Sequence, residues 1–237
     1  MDLKDAVCVV TGASEGIGFS IADALATRGA AVAICARTAR KVSDAVERLR
    51  AGSRRAVGVP ADVSSEPDVA RLRDFVHTEL GPIDVLVNNA GLAHFAPVED
   101  LTTRQFDEIM AVNVRGIFLT TRAFLPDLRK KQRGEIVNVA SLAGRNGFIG
   151  GAAYTASKHA VLGFSKSLML EVRKDNIRVI TICPGSVRTP FFEKSHRELP
   201  NAGSILTPED VATTVIAALE LPGRAMISEL DIRPTNP

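Results

Sequence analysis

The chain contains one tyrosine in 237 residues, and a lysine follows it four positions later: GGAAYTASKHAVLGFSKSL runs from position 150, with Tyr154 and Lys158 inside it. Residues at i and i+4 of a helix share a face, so this spacing puts an ammonium beside a phenol. A free phenol has a pKa of about 10, too high for a base near neutrality, and a neighbouring cation favours the phenolate. A drop of ~3 units corresponds to roughly 4 kcal/mol and requires a partly dry site with further positive charge close by. A phenol tuned in this way exchanges a proton with the oxygen of a carbonyl or an alcohol. Ser141 ends the apolar run EIVNVAS, where its hydroxyl can hold and orient that oxygen. Asn113, in AVNVRGIF, is a poor helix former and odd there as a packing residue alone.

The elements that must position these groups are legible as an alternation. Short β-branched runs recur at 6–10, 31–35, 56–60, 84–88, 135–140, 177–182 and 225–232, and amphipathic stretches lie between them. This pattern predicts βαβ units and a parallel sheet covered on both faces. In SEGIGFSIADALATRGA, Ile17, Ile21, Ala24 and Leu25 fall on one face, and Arg28-Gly29 supplies a terminating cation and glycine. Ser65 and Thr207 read as N-caps followed by proline and early acids. Thr102 to Gln105 reads as a capping box opening one helix to about Lys130. A second long helix is expected over about 152–174. The stretch from about 185 to 205 lacks either period and is expected to be a substrate loop.

Directly after the first run comes TGASEGIGFS, with Gly12, Gly16 and Gly18. Glycines between a strand and a helix permit a tight turn and close approach of backbone to phosphate, and the helix N-terminus favours negative charge. The spacing is G-x3-G-x-G rather than GxGxxG, so the strand-turn-helix context carries the inference. The second run ends AICARTAR, with Arg37 and Arg40 and no acid before Asp44. A carboxylate there suits the ribose 2′-hydroxyl of NAD, whereas arginine suits the 2′-phosphate of NADP. NADP is therefore the expected cofactor, with NAD the alternative.

Composition narrows the partners. A net charge of +2 with no basic block gives no reason to expect nucleic acid or an anionic membrane surface. The densest basic run, Arg129 to Arg133, reads as a solvated helix end. MDLKDAVCVVTG shows no leader pattern and no apolar stretch approaches ~18 residues, so a cytoplasmic protein without a membrane span is expected. Cys8, Cys35 and Cys183 form no CxxC pair and read as buried strand residues; no metal site is expected.

Taken together, TGASEGIG, Asp62-Val63, Asn88-Asn89-Ala90-Gly91, Asn113, Ser141, Tyr154-x3-Lys158 and Pro184-Gly185 resemble the short-chain dehydrogenase/reductases, in order and spacing, from about Val7 to Val211. The resemblance implies an α/β chain: one Rossmann domain over 1–237, its doubly wound seven-stranded parallel sheet carrying helices on both faces. It implies that Gly12, Ser14, Glu15, Gly16, Ile17 and Gly18 receive the dinucleotide and that Asp62 and Val63 hold the adenine. Asn89, Ala90 and Gly91 would line the ribose, and Pro184, Gly185, Val187 and Thr189 the nicotinamide end. Asn113, Ser141, Tyr154 and Lys158 would form the catalytic set, Asn113 positioning a water that relays protons through Lys158. Glu15 departs from the pattern, since NADP-using members often carry a basic residue there.

These readings converge on an NADP(H)-preferring oxidoreductase that interconverts a carbonyl and a secondary alcohol, with Tyr154 as general acid/base. His94, Phe95, Phe148, Phe191 and Phe192 stand on loops expected to surround a small-molecule substrate, and apolar lining favours a hydrophobic one. The alternative is a nucleotide-binding sensor or scaffold without turnover on the same fold. A kinase or ATPase is disfavoured because no G-x4-G-K-[ST] occurs, and a sugar-nucleotide epimerase because the C-terminal region is short. By resemblance, the two long helices and the last strand would assemble a homotetramer or homodimer.

Overall fold

The computed structural model describes residues 1–52, 54–191 and 205–235. Each predicted apolar run overlaps a strand: β1 (Val7–Thr11), β2 (Ala31–Ala36), β3 (Ala56–Pro60), β4 (Val85–Asn88), β5 (Gly134–Val139), β6 (Ile177–Pro184) and β7 (Glu229–Ile232). All pair in parallel, in the order β3-β2-β1-β4-β5-β6-β7. The helices between them are α1 (Gly16–Thr27), α2 (Ala39–Leu49), α3 (Glu66–Glu79), α4 (Thr103–Met110), α5 (Gly116–Lys131), α6 (Ala152–Val172) and α7 (Pro208–Leu219).

Strand alternation divides the core into two layers. Cys8, Val10, Ile34 and Ile182 pack with Leu25 of α1, Val42 of α2 and Val215 of α7. Val9, Ala33, Leu86 and Val179 pack on the opposite side with Leu72 of α3, Phe124 of α5 and Leu168 of α6. Successive side chains of a strand point to opposite faces, so a sheet covered on both sides needs apolar residues at consecutive positions. That is why the strands read as unbroken apolar runs. The three cysteines are free and buried, and burial pushes the thiols of Cys35 and Cys183 up to about 12 and 11. Among the described residues no helix is long and apolar enough to cross a membrane.

The helix ends follow the expected chemistry. Ser65 Oγ accepts from Asp68 N–H, Thr102 and Gln105 form a capping box, and Thr207 and Asp210 form another. Gly29 takes φ +85° just beyond α1. The basic run ends α5, where Lys131 pairs with Asp84 at 2.7 Å and Arg129 with Asp175 at 3.1 Å.

One expectation needs correction. The helix predicted from Thr103 to about Lys130 is not uniform: a five-residue π-helical turn, Ala111–Arg115, separates α4 from α5. The wider turn holds Asn113, and such single turns recur at functional sites. Most of the predicted 185–205 loop, including Phe192, lies outside the described residues. Its base is closed by a parallel bridge between Val187 and Leu206, with Arg188 N–H donating to Leu206 O (2.8 Å) and Leu206 N–H to Ser186 O (3.1 Å).

Candidate active site

Strand order reverses between β1 and β4, and in open parallel sheets that switch point, at the carboxyl ends of the strands, opens a crevice. Here it opens a cleft of about 760 Å³. Gly12, Ser14, Glu15, Gly16 and Ile17 line it after β1, and Arg37 after β2. Asp62 and Val63 follow β3, and Asn89, Ala90 and Gly91 follow β4. Pro184, Gly185, Val187 and Thr189 close it at β6, while Ser141, Tyr154 and Lys158 stand with His94, Phe95, Phe148 and Phe191 at the β5–α6 side. Three expected residues do not line it: Gly18 and Asn113 lie beneath its wall, and Arg40 stands outside it.

The glycine turn is held by the end of β4. Thr11 Oγ1 accepts from the N–H groups of Asn89 (3.0 Å) and Ala90 (3.1 Å), and Asn89 Nδ2 donates to the carbonyls of Thr11 (2.9 Å) and Gly12 (3.1 Å). Gly12 takes φ +65°. A Cβ on Gly18 would sit 2.4 Å from Asn89 Nδ2 and 2.6 Å from Gly12 O, so Gly18 serves the packing of turn on strand rather than the cleft surface. Asp62 is oriented by Ser64, whose N–H (2.9 Å) and Oγ (2.7 Å) both donate to Oδ1. The Asp62 N–H in turn donates to Asp68, a carboxylate held below its usual range mainly by Arg71 and then by this bond.

At the other side the π-turn carboxamide of Asn113 is fully committed. Its Oδ1 accepts from Leu92 N–H (2.9 Å), and its Nδ2 donates to Leu92 O (2.9 Å) and Ser157 Oγ (3.0 Å). Ser157 donates to Tyr154 O at 2.7 Å, so the first turns of α6 are bolted to the π-turn and to the chain leaving β4. Lys158 Nζ donates to Val139 O at 3.0 Å and lies 5.7 Å from the Tyr154 ring centroid. Ser141 stands at the end of β5 and caps a short turn by accepting from Ala143 N–H. Tyr154 is walled by Phe95, edge-on at 5.6 Å, and by Phe191 at 5.9 Å; Phe148 packs on Phe95.

The electrostatics depart from the sequence expectation in one respect. Burial pushes the Tyr154 phenol up to about 12, and the hydrogen bond with Ser141 opposes that rise. Lys158 is not among the causes, and burial lowers its own pKa to about 8. In the field of the protein alone Tyr154 is therefore a protonated donor at neutral pH: desolvation sets the direction of the shift, and the depression predicted from its lysine neighbour does not appear.

Lys41, Glu108, Asn146 and Arg233 are among the cleft residues that the sequence reading does not single out. Lys41 occupies the third position of α2, where a capping box would carry an acid, and a lysine there was the available signal. Its Nζ lies 2.8 Å from Glu15 Oε2. Glu108 faces His94 at 3.0 Å, and Asn146 and Arg233 complete the rim. Arg233 is brought in because Ile232 lies level with Pro184 in the sheet, a register no local pattern announces. Among the described residues no group of three or more His, Cys, Asp or Glu is placed to hold a metal ion.

Comparison with known proteins gives consistent likenesses. The family model described as short chain dehydrogenase matches residues 6–200. An uncharacterized oxidoreductase of Staphylococcus saprophyticus is 33% identical over 235 residues, 99% of each chain. An alcohol dehydrogenase from the archaeon Thermococcus sibiricus, solved with 5-hydroxy-NADP, superposes with a TM-score of 0.90 at 31% identity, covering 97% of each chain. The actinorhodin polyketide ketoreductase, solved as a tryptophan variant with NADPH, gives 0.91 at 32% identity over 97% of this chain and 96% of that one.

Proposed function

Since this chain belongs to the short-chain dehydrogenases and is an NAD(P)-dependent oxidoreductase, we propose that it is an NADP(H)-preferring reductase of hydrophobic carbonyl compounds, working reversibly on the corresponding secondary alcohols. The observation that carries this reading is that Ser141, Tyr154 and Lys158 line one cleft together, with the Lys158 ammonium 5.7 Å from the centre of the phenol ring.

The cleft suits an anionic dinucleotide. The N-terminus of α1 has no side-chain cap and no acid in its first turn, leaving backbone N–H groups for phosphate. Among the described residues Arg37 makes no ion pair, and β2 ends at Ala36 without a carboxylate. NADP is accordingly the preferred form, with Gly12, Ser14, Glu15, Gly16 and Ile17 at the phosphates and Asp62 and Val63 at the adenine. Asn89, Ala90 and Gly91 would face the ribose, and Pro184, Gly185, Val187 and Thr189 the nicotinamide.

The nicotinamide, when bound, supplies or accepts hydride. The chain handles the proton and the substrate oxygen. Ser141 holds the oxygen against the Tyr154 hydroxyl, which donates its proton in reduction and accepts one in oxidation. Lys158 stabilises charge that develops on the phenol, and Asn113 fixes the turn against which Tyr154 and Lys158 are registered. Phe95, Phe148 and Phe191 give the substrate an aromatic wall, and the His94–Glu108 pair sets one polar point beside it. Assembly as a homodimer or homotetramer is supported by Phe106, Phe118 and Leu170, exposed on α4, α5 and α6. Light scattering at micromolar concentration is expected to give a multiple of the 25.3 kDa chain mass, and a monomer would overturn this part.

Tyr154→Phe tests the central claim. It is expected to lower NADPH-dependent ketone reduction by roughly 10²–10⁴-fold while NADPH affinity, read from fluorescence titration, stays within about twofold. Retained turnover would refute the acid/base role. A wild-type protein that binds NADPH but turns over no ketone, quinone, steroid or acyl thioester in a broad panel would favour the sensor reading.

A further inference from the structure

The pairing of Glu15 with Lys41 has no part in the chemistry just described, yet both line the cleft at the side where Arg37 stands. The segment 37–41, RTARK, holds three cations and no acid. Arg40 and Lys41 occupy the first turn of α2, the end of a helix that favours anions, so their placement opposes the helix dipole. Glu15, reaching across from the N-cap of α1, is the carboxylate that answers Lys41.

Resting on the NADP reading above, we propose that Lys41 is a second cation for the 2′-phosphate, beside Arg37, and that Glu15 is a resident stand-in for that phosphate. When the nucleotide's phosphate enters, Lys41 transfers from a single carboxylate charge to a group of about −1.5 to −2. The residual charge of Glu15 then opposes the incoming anion. Selectivity for the phosphorylated nucleotide is thus built from two cations and discounted by one acid. This accounts for the presence of an acid in the glycine turn: it prevents an unanswered cation cluster in the free protein and moderates phosphate binding.

The test uses the full-length protein and isothermal titration with two probes, adenosine 2′,5′-bisphosphate and adenosine 5′-monophosphate, so no turnover enters the readout. Lys41→Met is expected to weaken the bisphosphate about 3–10-fold and Glu15→Gln to tighten it about 2–5-fold, consistent with exposed pairs each worth roughly a tenfold factor or less. Neither change should move monophosphate affinity by more than about twofold, since that probe lacks the 2′ group. Lys41→Arg should keep most of the bisphosphate affinity, which guards against a folding defect in the methionine variant. Equal effects of Lys41→Met on both probes, or none on either, would overturn the assignment of Lys41 while leaving Arg37 and the NADP reading in place. A Glu15→Gln variant with weaker bisphosphate binding would overturn the stand-in role. A wild-type protein with no preference for bisphosphate over monophosphate would overturn the NADP reading itself, and this inference with it.

Discussion

The two sides of the cleft use charge under opposite conditions. Around Tyr154 and Lys158 the governing quantity is desolvation: the lysine is 5% exposed, and burial is the first cause of the shift at both residues. Around Arg37, Lys41 and Glu15 the charges stand in water, with the Lys41 and Glu15 side chains 48% and 32% exposed. An exposed pair contributes about 0–1 kcal/mol and is screened by salt, whereas a buried ammonium without a carboxylate must be supported by the fold. Substitutions therefore change protonation and stability on one side, and on the other only how strongly an arriving anion is held.

Lys158→Met breaks this comparison most sharply. Lowering a lysine from 10.5 to about 8 corresponds to about 3 kcal/mol of folding stability lost at neutral pH. Methionine has no charge to desolvate, so the variant is expected to unfold at higher denaturant, with a gain of about 2–3 kcal/mol, while carbonyl reduction falls by two or more orders of magnitude. The sign can be followed with pH. The unfolded chain binds more protons than the folded one between about 8 and 10.5, so wild-type stability rises with pH across that window. The methionine variant should lack the rise. A variant that loses stability would show that the ammonium contributes more through its bond to Val139 O than its burial takes away.

The same value fixes a kinetic limb. Tyr154 remains protonated throughout, so kcat/KM for NADPH-driven reduction should be level at neutral pH and fall as pH rises through about 8, where Lys158 loses its proton. A profile that stays level to pH 10 would separate the lysine charge from catalysis.

How much of this could be read from the chain differs between the two sides for a physical reason. β1, β2, β4 and β5 show as apolar runs because both sheet faces are covered, and the turns that follow them carry the cleft residues within a few positions of each strand end. Tyr154, Lys158 and Ser141 are equally local, one helix turn and one strand end. The π-turn was not legible, because AVNVR keeps a helical pattern and the wider turn is a matter of backbone bonding, accompanied by the bonds of Asn113 to Leu92 and Ser157. Glu108 and Arg233 were missed because tertiary register alone brings them to the rim, 14 residues from His94 in one case and through the last strand pair in the other. Lys41 was missed because the acid it answers lies 26 positions away.

The smallest expected effect sharpens the contrast between the two sides. The Debye length falls from about 30 Å at 0.01 M salt to about 3 Å at 1 M, so exposed charges lose their reach while enclosed ones do not. The ratio of NADPH to NADH affinity should therefore decline several-fold across that range, as Arg37 and Lys41 are screened. The pH at which reduction begins to fall should not move, because Lys158 faces a carbonyl oxygen and an aromatic ring rather than solution. Salt that displaced the pH limb while leaving nucleotide preference alone would invert the assignment. It would place the screened charges at the chemistry and the enclosed ones at the adenosine, contrary to the burial of Lys158 and the exposure of the Glu15–Lys41 pair.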